Sequence, residues 1–200
     1  MVRYTGAISE PMMPVVKALL KAAVLLQKEM ALQFEFTGTS YAGTGMAKGV
    51  LTDMIRENNL QDIIKEQPDR VGYREALELS LGADMQLLIG DTTPYYAASK
   101  LMGMVASGQP FFALVHKDSF PASFLRDLNY EFIFEFDNQS IVTEASVMPL
   151  AKKLSDAISK RGSCKRVDPD DPILQKYTAY AMTKTFSDTL KKITHGESTF

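Results

Sequence analysis

Short apolar runs alternate with amphipathic stretches along most of the chain. Residues 2–7 read as a strand, and residues 14–30 (PVVKALLKAAVLLQKEM) as a helix whose first turn suits Pro14. The pattern then repeats: LQFEFTG (32–38) is a strand and MAKGVLTDMIREN (46–58) a helix; DIIKE (62–66) is a short strand and YREALELSLG (73–82) a helix closing on Gly82. DMQLLIG (84–90) is a strand and AASKLMGMVASG (97–108) a helix ending at Gly108. PFFALV (110–115) is a strand and SFPASFLRDL (119–128) a helix or irregular turn. YEFIFEF (130–136) is a strand, and residues 144–161 a helix that Pro149 could interrupt. A loop, GSCKRVDPDDP (162–172), is the best candidate linker, and residues 173–193 read as one long final helix.

This alternation predicts an α/β fold: a doubly wound parallel sheet of about six strands, Rossmann-like, with right-handed crossovers and helices on both faces. MQLLI and FFALV are apolar on both faces and belong near its centre. Ligands of such sheets sit beyond the carboxyl ends of the strands, at the switch point. Residues 1–162 are expected to form the α/β domain. Residues 163–200 are expected to form a loop and C-terminal helix that pack on it, or on a missing amino-terminal domain.

Composition narrows the classes. The chain has 200 residues, 46% of them hydrophobic, a net charge of −2 and one cysteine, Cys164. The charge argues against a protein built to coat nucleic acid. One cysteine allows no intrachain disulfide and no cysteine zinc site, and suggests a reducing compartment. No stretch is long and apolar enough to span a bilayer. The first residues lack a signal-peptide core and enter a strand at once, which suggests a fragment that begins at a domain boundary.

The strand ends supply the candidates. The loop GTSYAGTG, with Thr39, Ser40 and Tyr41, is rich in glycine and hydroxyls and can approach a phosphate, although a plain turn is the simpler reading. It has neither GxGxxG spacing nor a P-loop frame around Lys48. In YYAASKLMG, Ser99 is a good helix N-cap and Lys100 falls in the first turn. A lysine there opposes the helix dipole, and Gly103 weakens the same helix. Both choices make sense if Lys100 neutralises an anion held at that end; the alternative is a solvated lysine. Tyr95 and Tyr96 can stack on a base or sugar, or pack in the core. Asp91 and Glu10 lie near strand ends without forming a carboxylate pair. His116 is more simply structural, and His195 lies near the terminus. No cluster has metal-ligand spacing, no cofactor is indicated and no catalytic base is visible.

Taken together, FTGTSYAG, DRVGYREALELSLGADMQLLIG, YYAASKLMGMVASGQPFFALVH and KDSF resemble the carboxyl-terminal half of GT-B glycosyltransferases, closest to bacterial group-1-like enzymes. The resemblance covers residues 1 to about 135. It implies a domain that binds a nucleotide-diphosphate sugar and belongs to a longer enzyme, whose amino-terminal half binds the acceptor and usually supplies the base. It puts Arg70, Val71 and Tyr73 against the nucleotide base, Ser99 and Lys100 against the diphosphate, and Gly6 and Thr39–Tyr41 along the cleft. Two features depart from the family pattern. Gly103 stands where many relatives carry a ribose-binding glutamate, and Glu10 and Tyr41 stand where a basic pair often clamps the phosphates. The acceptor implied is a polysaccharide or other cell-surface molecule. The setting implied is cytoplasmic, with peripheral attachment at the inner membrane face in the full-length enzyme. The alternatives are an NAD-dependent oxidoreductase domain, which the absent glycine fingerprint disfavours, and a non-catalytic module that kept only the fold.

Overall fold

The computed structural model describes residues 1–43 and 45–194, so Thr44 and His195 lie outside the described residues. Six strands form one parallel sheet: β1 (Val2–Thr5), β2 (Phe34–Thr37), β3 (Ile64–Gln67), β4 (Met85–Ile89), β5 (Phe111–His116) and β6 (Ile133–Phe136). Their order is β3-β2-β1-β4-β5-β6. The chain therefore winds outward in one direction from β1 to β3, crosses back to β4 and winds outward in the other. Val2 faces Phe34 on one side and Met85 on the other, so β1 and β4 flank the switch point.

Burial explains the strand pattern. Every residue of β4 and β5 is buried, as central parallel strands require. The edge strand β3 instead exposes Lys65 and Gln67, which keeps its free backbone edge from pairing elsewhere. The core holds Phe34, Phe36, Phe112 and Leu114 from the sheet and Val15, Leu19 and Leu154 from the helices.

The helices are α1 (Met13–Leu26), α2 (Thr52–Glu57), α3 (Tyr73–Leu81), α4 (Leu101–Ser107), α5 (Phe120–Asp127), α6 (Val147–Lys160), α7 (Pro172–Gln175) and α8 (Ala179–Thr194). Several differ from the sequence expectation. Helix α2 starts six residues later than expected from MAKGVLTDMIREN. Glu66 of β3 accepts the N–H groups of Val50 (2.8 Å) and Leu51 (3.1 Å), so a side chain from another strand sets that helix's start. Helix α4 begins at Leu101, with Lys100 at the cap position, and Ser99 makes no capping bond. Gly82 follows α3 with an ordinary helical φ of −81°, whereas Gly108 closes α4 in the left-handed region at φ 65°. Residues 119–128 resolve as a helix, capped by Ser119, whose Oγ accepts from Ala122 N at 3.4 Å. Pro149 does not interrupt α6, because it sits in the first turn, where an N–H would have no intrahelical partner. The expected final helix is two helices, separated by residues 176–178.

The chain divides into two compact units, Met1–Arg166 and Val167–Phe200. The first holds the whole sheet with α1–α6; the second holds α7 and α8.

Candidate functional site

β1 and β2 are each followed by a glycine with positive φ, Gly6 at 147° and Gly38 at 74°. Both conformations favour glycine, and both turn the chain away from the sheet without a side chain at the strand end. The space this leaves is a cleft of about 360 Å³ beyond the carboxyl ends of β1 and β2, with Lys100 on its wall. Gly6, Gly38, Thr5 and Thr37 form its floor, and Arg70, Val71, Tyr73 and Ala76 its other wall.

Lys100 reaches in from the start of α4. Its ammonium lies so close to Gly6 that a methyl group there would collide with it, and it sits 5.7 Å from the ring centre of Tyr4. Much of the residue's surface stays exposed, yet burial of the ammonium, and secondarily Arg70, holds its pKa below the usual lysine value. Among the described residues neither Lys100 nor Arg70 has a carboxylate within ion-pair distance. The nearby acids are occupied. Asp69 accepts from Gly45 N at 2.9 Å, and Asp91 accepts from both the N–H and the hydroxyl of Thr93 at 2.7 Å. Two cations thus face one open cleft, with backbone rather than carboxylates beneath them. Such an arrangement suits an anion.

Gly6, Arg70, Val71, Tyr73 and Lys100 come together in this cleft. Tyr96 and Ser99 line a small adjoining cavity of about 20 Å³ with Tyr4 and Lys100. Burial, and secondarily the Asp91 carboxylate, raises the Tyr96 phenol pKa. Tyr41 is exposed, and close enough to add a small increment to the raised pKa values of Tyr4 and Tyr96. Thr39 and Ser40 face into the fold instead. The Thr39 hydroxyl donates to Glu66 at 2.6 Å, and the Ser40 oxygen accepts from Ala42 N at 3.1 Å. Tyr95, 91% exposed, points to solvent and lines neither space. His116 is 6% exposed at the end of β5, and its Nδ1 accepts from Asp118 N at 3.2 Å. Glu10 is exposed on the 3-10 turn before α1. Gly103 of α4 faces open space.

Sequence reasoning missed Glu66. Its carboxylate gathers the hydroxyls of Thr39 and Thr52 and the N–H groups of Val50 and Leu51. It thereby ties down both ends of the glycine-rich loop after β2. Only its place at the end of a short strand opposite a hydroxyl-rich loop could have marked it.

A second groove, of about 410 Å³, lies between α1, α2 and the segment after β6. Its floor includes Ala18, Leu20 and Val147, and the rim cation Lys21 is held by Glu144. It lies on a helical face, away from the switch point. Among the described residues no group of three His, Cys, Asp or Glu is placed to hold a metal, and no helix is long and apolar enough to cross a membrane.

Comparison with solved structures sorts out the architecture. An alpha,alpha-trehalose-phosphate synthase (UDP-forming) from Burkholderia vietnamiensis matches 100% of this chain, with a TM-score of 0.60 and 12% identity. An alpha,alpha-trehalose 6-phosphate synthase from Burkholderia multivorans matches 98%, with a TM-score of 0.61 and 11% identity. The chain has a GT-B-like fold. It corresponds to one half of that architecture, spanning 45% and 43% of the two synthases. A sucrose-phosphate synthase from Thermosynechococcus elongatus agrees: 95% of this chain matches 45% of that one, with a TM-score of 0.52 and 12% identity. No protein-family model and no curated protein sequence matches the chain. At such identities the likeness fixes the GT-B-like fold, and residue roles must be argued from the cleft itself.

Proposed function

We propose that this chain is the donor-binding half of a sugar transferase and that its cleft holds the diphosphate of a nucleotide sugar. The observation that carries the reading is the convergence of Lys100 and Arg70, both without carboxylate partners among the described residues, on a glycine-floored cleft at the switch point of a GT-B-like sheet. Lys100 and Arg70 offset the diphosphate's charge, most strongly as the leaving nucleotide gains negative charge. Gly6 and Gly38 let the ligand approach backbone. Tyr73 and Val71, on the far wall, offer surface to the base or sugar. The acceptor site and the catalytic base then come from a second domain, as the share of the synthases left unmatched suggests. The acceptor we favour is a polysaccharide or other cell-surface molecule, and a cytoplasmic setting fits a chain whose single cysteine, Cys164, is free.

Calorimetric titration of the chain with UDP, ADP, GDP and NAD tests this reading. A nucleoside diphosphate should bind, and Lys100→Ala and Arg70→Ala should each weaken it roughly ten- to a hundredfold while leaving nucleoside binding nearly unchanged. The chain alone should transfer no sugar. Binding of NAD alone, or diphosphate affinity indifferent to both substitutions, would refute the proposal.

A further inference from the structure

Two forces push Lys100 out of the cleft. Its ammonium is partly desolvated there, and the Arg70 guanidinium repels it. A long, flexible lysine side chain under that pressure would swing out to water unless something favours the inward position. No carboxylate among the described residues does so. What the ammonium does meet is the ring of Tyr4, over which it sits 5.7 Å from the centre. A tyrosine ring carries partial negative charge on its face and attracts a cation there, more strongly where water is excluded. Tyr4 is fixed by its own surroundings. It is 5% exposed on β1, its ring lies 5.9 Å from that of Phe36, and its hydroxyl donates to the Ala7 carbonyl at 2.9 Å. Burial, with Tyr96 and Tyr41 as lesser causes, raises the Tyr4 phenol pKa, so the hydroxyl keeps the proton this bond needs. The bond spans the turn at Gly6. A methyl group on Gly6 would collide with the Lys100 ammonium and lie 3.5 Å from the Tyr4 hydroxyl oxygen. Ring, turn and ammonium therefore meet just beyond the end of β1. Packing accounts for the Phe36 contact and the Ala7 bond of a buried tyrosine; it does not call for a lysine over the ring.

We propose that Tyr4 is a positioning residue: its ring holds the Lys100 ammonium over Gly6, facing the open cleft, and its hydroxyl bond to Ala7 ties that ring to the turn. Tyr4 does not line the cleft itself, so it acts on a ligand through Lys100. The ring offsets the repulsion from Arg70 without neutralising the ammonium, as a carboxylate would, and so leaves its charge available to an anion. The inference rests on the nucleotide-diphosphate reading for what the ammonium serves; the hold itself is tested without ligand.

The experiment joins an NMR titration of Lys100 in the ligand-free chain, its signal assigned by its loss in Lys100→Ala, with calorimetric binding of UDP. In Tyr4→Leu the Lys100 pKa should rise toward the ordinary lysine value as the ammonium reaches water; in Tyr4→Phe, which keeps the ring, it should stay lowered. Tyr4→Leu should weaken UDP about tenfold, and Tyr4→Phe by no more than about threefold. Tyr4→Phe should nonetheless melt at a lower temperature, because the Ala7 carbonyl loses its donor. In the Lys100→Ala background Tyr4→Leu should change UDP affinity by less than about twofold. A ring-fluorinated phenylalanine in place of Tyr4 packs as Tyr4→Phe does but has a weaker ring charge. It should bind UDP several-fold more weakly than Tyr4→Phe, and it takes the place of Tyr4→Leu in both measurements if that variant does not fold. The proposal is overturned if the Lys100 titration in Tyr4→Leu matches that of the parent or moves lower, or if Tyr4→Leu weakens UDP equally with and without Lys100. A parent chain that does not bind UDP refutes the nucleotide reading instead, and the titration alone then decides the hold.

Discussion

The ammonium of Lys100 is partly desolvated, lies beside the Arg70 guanidinium and has no carboxylate partner among the described residues. A lysine whose folded pKa is lowered destabilises the folded state while it is charged. The penalty is full below the lowered pKa and fades as pH rises toward the usual lysine value, because the unfolded chain binds more protons in that window. Lys100→Met should therefore raise the unfolding midpoint near neutral pH, with a smaller gain near about pH 10; urea titrations at the two pH values measure it. A rise in stability coupled to a fall in diphosphate affinity identifies a residue kept for ligand and not for fold. Glu66 is the opposite case. Glu66→Ala would orphan the Thr39 hydroxyl, whose residue is fully buried, together with two backbone N–H groups. We expect a loss of roughly 2–3 kcal/mol, and a smaller one for Glu66→Gln, whose amide keeps one accepting oxygen. A denaturant midpoint unchanged in the alanine variant would show that other contacts hold the loop.

Helix α4 carries the weakest local choice in the sheet domain. Gly103 sits mid-helix with no atom in reach of an added Cβ. Gly103→Ala should stabilise the domain by up to about 1 kcal/mol, read from the same denaturant curves, because the unfolded chain loses freedom and nothing is displaced. Elements of this kind show what the sequence could and could not disclose. All six strands were legible because the apolar runs are short, bounded and separated by amphipathic stretches. The helix starts were less so. The start of α2 is set by Glu66, distant in sequence, and α4 begins at Leu101 although Ser99 is the better local cap. At the site, the residues read from strand ends fared unevenly. Gly6, Arg70, Val71, Tyr73 and Lys100 share one cleft, whereas Thr39 and Ser40 turn inward to serve the loop. A hydroxyl reads the same in the sequence whether it faces a ligand or a neighbouring carboxylate; only packing separates the two.

On the scale of the molecule, the two units divide the work the chain could do. The first contains all six strands, and the cluster of residues around its core runs from Val2 to Cys164, with no described member from the second. At its edges, β3 exposes Lys65 and Gln67, and Glu135 of β6 pairs with Arg126 at 2.8 Å. The second unit offers helices with little apolar burial of their own, and α8 buries none of its described side chains. A chain ending at Arg166 should therefore fold, because every described residue of the core cluster belongs to the first unit. Its melting midpoint should fall within a few degrees of the parent's, a shift worth less than about 1 kcal/mol for a domain of this size. Its affinity for a nucleoside diphosphate should be unchanged, since every residue lining the cleft lies before position 101. Melting and calorimetry on that one truncated chain therefore address the sheet and the cleft separately, and a truncated chain that fails to fold would show that the second unit belongs to the core.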